Sequence, residues 1–204
     1  MLFIDDIWML PLLVPALLLA VTFHEYAHGR MALAMGDPTA SMQGRLTLNP
    51  LAHLDPLGSL MILLVGFGWA KPVPINPARF RNYREGLLKV SLAGPFANFL
   101  LAFISLLLLE LVGATGYFLN LFVLIAQINI ALGVFNLLPV PPLDGSKVLV
   151  SLMPSTWSGF YRQLEAYGPF LFIAIIIFGG RFIFPLIVFI FERIYSIVLL
   201  FTGF

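Results

Sequence analysis

The sequence predicts an all-α polytopic membrane protein with about five transmembrane helices and a re-entrant or extended, β-like element between the first two full spans. Composition is the first reason. Of 204 residues, 60% are hydrophobic and 10% charged, with a mean hydropathy of +1.00; a soluble domain is apolar over roughly half its residues and charged over about a quarter. The second reason is that the apolar residues gather into runs of the length a membrane span needs, about 20 residues. The third is that proline, glycine and basic residues collect in the short segments between those runs. A net charge of +1 argues against nucleic acid as a partner. The absence of cysteine excludes disulfides and thiolate metal ligands. Residues 1–204 read as one membrane-embedded domain, with a core over about 8–150 and C-terminal helices over about 163–204.

Taken in order, MLFIDDIW is acidic where a signal peptide is basic, and no small-residue cleavage site follows, so residues 8–35 read as a retained first span. Pro11 and Pro15 lie near its start, where proline is tolerated, and Gly36-Asp37-Pro38 stops it. Residues 39–56 are polar, with Gly44, Asn49 and Pro50, and read as a loop. The apolar run of residues 57–67 is too short to cross and fits a re-entrant or interfacial element.

In Gly68-Trp69-Ala70-Lys71-Pro72-Val73-Pro74-Ile75-Asn76-Pro77 the prolines reject helix and bias their predecessors to extended geometry. Pro72 and Pro74 remove donors from one edge, while Val73 and Ile75 keep theirs on the other. The segment is therefore an edge strand able to pair with another chain, or a rigid proline turn. Further spans follow at 87–112 and 117–138, and 167–204 holds two more, broken near Gly179-Gly180-Arg181. Lys71, Arg79, Arg81, Arg84 and Lys89 share one connection with a single acid, Glu85. The positive-inside rule makes that connection cytoplasmic. Asp5 and Asp6 then lie outside, and residues 137–147 return to the cytoplasmic face.

Within the first span, His24-Glu25-Tyr26-Ala27-His28 forms an HExxH pattern. Two histidines four apart on a helix differ by about 40° in azimuth and about 6 Å in height, so both imidazoles reach one metal. Histidines in membrane helices also serve as interhelical hydrogen-bonders, but two of them flanking a glutamate favour metal ligands. Catalytic zinc usually takes three protein ligands and keeps one exchangeable position. Ala34 stands where another zinc-protease pattern carries its third histidine. His53 is the remaining histidine; it could approach the metal or the substrate, although a loop histidine satisfied by a neighbour such as Asp55 is the stronger reading. Asp144 ends a proline-rich stretch, Asn136-Leu137-Leu138-Pro139-Val140-Pro141-Pro142-Leu143-Asp144-Gly145, which topology places at the depth of the two histidines. A plain turn aspartate before Gly145 is the competing reading.

HEYAH, Ala93-Gly94-Pro95-Phe96-Ala97-Asn98 and NLLPVPPLDG, in this order, resemble the site-2 protease family of intramembrane zinc metalloproteases, over roughly residues 15–150. NPLAHLDP and GWAKPVPINP resemble its compact prokaryotic branch, without PDZ or CBS domain. The resemblance implies one Zn2+ per chain, held by His24, His28 and Asp144, with Glu25 as general base and Asn136 near the scissile peptide. It implies hydrolysis of peptide bonds in or near transmembrane segments, as in regulated intramembrane proteolysis. The partners implied are a transmembrane protein substrate and the lipid bilayer, in a prokaryotic cell membrane with the active site facing the cytoplasm. Val73 and Ile75 would hold an unwound substrate by strand addition, and Asn98 is either a substrate contact or glue between helices. A different class stays open beside the enzyme: a non-hydrolytic zinc-binding membrane protein or metal carrier. Glu25 favours the enzyme, because a carrier needs no base there.

Overall fold

The computed structural model describes residues 10–58, 61 and 68–203. Its helices are α1 (Leu10–Ala34), the single turn α2 (Thr39–Met42), α3 (Tyr83–Val112), α4 (Gly116–Asn136), α5 (Asp144–Leu152), α6 (Ser158–Phe178) and α7 (Gly180–Thr202). Among the described residues there is no strand. Four helices are long and apolar enough to cross a membrane: α1 from Pro11, α3, α4 and α7. The fifth expected span corresponds to α6, which starts nine residues before the predicted 167. Its first half carries Tyr161-Arg162-Gln163-Leu164-Glu165, so only its second half is continuously apolar. The predicted break falls at Gly179, between α6 and α7.

Local chemistry sets the helix ends. Past α1, Gly36 takes φ 107°, a value that favours glycine and turns the chain out of the helix. The Asn82 side chain caps α3 by accepting from the Glu85 N–H. The helix therefore begins four residues before the predicted 87, in a polar turn that hydropathy does not register, with Lys89 bonded to Glu85 on its surface at 2.6 Å. Gly113, at φ 59°, closes α3, and after two intervening residues α4 runs back against it.

The α3–α4 hairpin is the centre of the molecule. Ala102, Leu106 and Leu109 of α3 pack with Ala126, Ile130 and Val134 of α4 and with Val198 of α7. Leu12, Ala16 and Ala20, spaced by four along α1, pack on Leu124, Ile125 and Ile128 of α4. The alanines let the two backbones approach closely, the usual device where lipid removes any hydrophobic drive between helices.

Between α1 and α3 the chain runs back over α1. Leu54 and Ala70 form an isolated antiparallel bridge, and the Lys71 N–H donates to the His53 carbonyl at 2.9 Å. This is the extent of β-like pairing among the described residues; the rest of the 69–76 segment is extended but pairs with side chains. Apart from Leu57, Gly58 and Met61, the predicted re-entrant run 57–67 lies outside the described residues.

Candidate active site

His24 and His28 lie one turn apart on the face of α1 that meets α3, and Asp144 is the first residue of α5; all three are buried. Their ligating atoms converge. The two Nε2 atoms are 3.0 Å apart, and Oδ2 of Asp144 lies 3.2 Å from the first and 2.9 Å from the second. Gly145 explains how Asp144 reaches this place. A Cβ there would stand 2.2 Å from the Leu137 carbonyl oxygen, so only glycine lets the start of α5 fold back onto the end of α4.

Partners of the other ring nitrogens fix the tautomers. Nδ1 of His28 donates to the Val90 carbonyl at 2.7 Å, and Nδ1 of His24 donates to Oδ1 of Asn98 at 2.6 Å. The Asn98 orientation is itself determined, because its Nδ2 donates to the Ala20 carbonyl at 3.1 Å and to Oδ1 of Asn129 at 2.8 Å. With both protons on Nδ1, two Nε2 lone pairs and a carboxylate oxygen point at one spot and repel one another unless a cation lies between them. Donors held tetrahedrally at about 2.0–2.1 Å from a zinc ion are about 3.3 Å apart. The spacing, donor types and outer hydrogen bonds therefore fit Zn2+.

On its other oxygen Asp144 accepts from Lys147 Nζ at 3.1 Å, which leaves a single oxygen for the metal. Burial works against the Asp144 charge, and the Lys147 ammonium on Oδ1 favours the ionised carboxylate.

Glu25, beside His24, lines a cavity of about 350 Å³ shared with His28, Val73, Ile75, Asn136, Asp144 and Lys147. Its Oε2 accepts the Val73 N–H at 2.8 Å. Asn136 turns one amide proton back to the Leu132 carbonyl at 3.0 Å and reaches the cavity from the end of α4. Thus the structure brings together His24, Glu25, His28, Asp144, Asn136, Val73 and Ile75.

It does not bring Asn98 or His53 to the cavity as substrate contacts. Asn98 has no exposed surface and does not line the cavity, and its hydrogen bonds go to His24, Ala20 and Asn129 on the neighbouring helices. His53 is buried in the 50–53 turn, donating from Nε2 to the Thr47 carbonyl at 2.8 Å. The Val73 N–H, expected on a free edge, is committed to Glu25.

Two residues escaped sequence reasoning. Lys147 could have been found as the i+3 neighbour of Asp144 on a helix. Gly94 carried a fainter signal, a glycine before Pro95 in a span of bulkier residues. A Cβ on it would stand 2.4 Å from His28 Nε2 and 2.7 Å from His24 Nε2, so α3 meets the site through a bare Cα.

The chain is similar to known proteins. Residues 110–179, which include Asp144, match the family described as Peptidase family M50. YwhC of Bacillus subtilis, named as a candidate zinc metalloprotease, is 40% identical over 190 residues, covering 88% of this chain and 87% of its own. The chain belongs to the site-2 protease family, peptidase family M50. Rip2 of Mycolicibacterium smegmatis is 33% identical over 141 residues, 66% of this chain and 54% of that protein. MJ0611 of Methanocaldococcus jannaschii is 43% identical over 129 residues, 62% and 63% of the two chains. Both are likewise named as candidate zinc metalloproteases. No solved structure matches the chain. This site-2 protease is an integral membrane zinc metalloprotease, and the reading as a metal carrier gives way.

Proposed function

We propose that this site-2 protease hydrolyses peptide bonds in or near the transmembrane segments of membrane protein substrates, with its site opening to the cytoplasm of a prokaryotic cell. The observation that carries this reading is the meeting of three metal-ligating atoms beside Glu25, in a cavity walled by apolar helices. His24, His28 and Asp144 would hold zinc. When bound, zinc supplies Lewis acidity toward a peptide carbonyl and lowers the pKa of a water toward about 7. Glu25, steadied at Oε2 by the Val73 N–H, keeps Oε1 to take a water proton and pass it to the leaving amine. Asn136 has an amide proton left to bind the substrate backbone as its carbonyl gains charge.

A helical substrate must unwind to expose a carbonyl, and the extended 71–76 segment is the surface suited to hold it, with Ile75 as the pairing residue while Val73 serves Glu25. The basic residues around that segment support a cytoplasmic opening. In this reading α6 as a whole is the fifth span, with its polar first turns at the membrane surface, and the core of about 8–150 carries the whole site. Replacing Glu25 by Gln tests the assigned chemistry. Purified Glu25→Gln is expected to keep about one zinc per chain and to lose cleavage of a model transmembrane substrate by at least about a thousandfold; cleavage at the parent rate would remove Glu25 from the mechanism.

A further inference from the structure

Asp37 lies just beyond α1, outside the cavity, and none of its surface is exposed. Oδ1 accepts the Thr39 N–H at 3.0 Å and the Thr39 hydroxyl, a local arrangement common for an aspartate in a turn. Its second oxygen is what sets it apart. Oδ2 accepts the Asn76 N–H at 2.6 Å, across 39 residues of sequence, from the segment that covers the cavity. An ordinary turn aspartate leaves that oxygen in water, whereas this one is buried with the loop as its partner. Burial works against the charge, and the Thr39 and Asn76 donors outweigh it and hold the carboxyl below the usual carboxylate range.

Three residues before Asn76 comes Val73, whose N–H rests on Glu25. The Val73 side chain is buried in a notch over Gly29, one turn beyond Glu25 on α1. A Cβ at Gly29 would meet Val73 Cγ1 at 3.2 Å and Leu46 Cδ1 at 3.0 Å. Pro72 and Pro74 flank Val73 and fix their own φ angles, so few soft torsions separate Val73 from the anchor at Asn76. The upstream end is held separately, by Arg45 Nη2 donating to the carbonyls of Lys71 at 2.9 Å and Pro72 at 3.2 Å. Asp37 is the downstream counterpart of Arg45.

We propose that Asp37 is a positioning residue for the proteolytic reaction: it fastens the 71–76 segment at Asn76, so that the Val73 N–H stays on Glu25 and orients that carboxylate. The proposal rests on the reading of Glu25 as general base. Asp37 itself touches neither the three metal-ligating side chains nor the cavity.

The chain contains no cysteine, so a single Val73→Cys reports on docking of the segment through its reaction rate with N-ethylmaleimide. In the full-length, zinc-loaded Val73→Cys protein, adding Asp37→Asn or Asp37→Ala is expected to raise that rate about tenfold or more. Without the cysteine, both Asp37 variants are expected to keep about one zinc per chain. Their kcat falls roughly ten- to a hundredfold, with KM changed less than about threefold, as for a misplaced base. Labelling as slow as in the parent would overturn the proposal. So would loss of zinc from both variants, since Asp37 would then hold the fold at large. Glu25→Gln in the Val73→Cys protein separates the two readings, because glutamine can still accept the Val73 N–H. It is expected to stay slowly labelled while losing cleavage. If it cleaves normally, the base assignment fails; if it is slowly labelled and the Asp37 variants are too, the fastening fails.

Discussion

At Gly94 the metal site tolerates nothing larger than hydrogen. A methyl there would press on both Nε2 atoms, from a backbone held in the middle of α3. Neither histidine can retreat, because the Nδ1 atoms are tied to Asn98 and to the Val90 carbonyl. Gly94→Ala should therefore lower zinc content to roughly a tenth of parent or less, since losing even outer-shell support typically costs 10–100-fold in metal affinity. Metal analysis of the purified variant checks this, and full zinc content would show that the helices can separate. The contrast with His24 and His28 shows what a sequence displays at this scale. Their relation is internal to one helix and follows from a spacing of four. The roles of Gly94 and Asn98 depend on which face of α3 meets α1, and no spacing within either helix states that. Asp144 lay between the two cases, a candidate from topology that a turn aspartate could equally have explained.

Among the elements, α3 does most to assemble the site, and it does so with polar groups in an apolar span. Asn98 joins α1 through His24 and the Ala20 carbonyl, and joins α4 through Asn129, whose own Nδ2 donates to the Ile125 carbonyl at 2.8 Å. An unsatisfied buried group of this kind costs about 1–3 kcal/mol, so these bonds favour one register of the three helices. Hydropathy located α1, α3 and α4 well, yet it underestimated α3 by the polar turn at 83–86, and of the two helices it expected over 167–204 only α7 is long and apolar enough to cross by those measures. It reports the solvent around a helix, whereas capping and i,i+4 pairs set where the helix begins. Orientation follows from where the basic residues stand relative to α3. Arg84→Cys, at its start, should react with a membrane-impermeant maleimide only from the cytoplasmic side, and Tyr117→Cys, at the start of α4, only from the opposite side. The reverse pattern would turn the active site outward.

For the molecule as a whole, the site is a junction between distant parts of the chain. Asp144 lies 120 residues from His24, and the α3–α4 hairpin packed between them carries it back to the same depth. The apolar helices α1, α3 and α4 and the short α5 supply the walls, while the 71–76 segment supplies an N–H to Glu25 and lines the cavity. The helical membrane architecture was readable because composition and span length both act over many residues. The detailed path of the 71–76 segment was not, because its contacts with Glu25, Arg45 and Asp37 are made by single side chains from three separate places.

The central claim is that α1 and the start of α5 share one zinc ion, and the zinc content of Asp144→Ala measures it most directly. The variant, dialysed against a weak chelator beside the parent, should fall from about one zinc per chain to a small fraction, because a two-histidine site lacks the third ligand that catalytic zinc usually has. Retention of one zinc per chain with parent affinity would contradict the claim and take Asp144 out of the metal site.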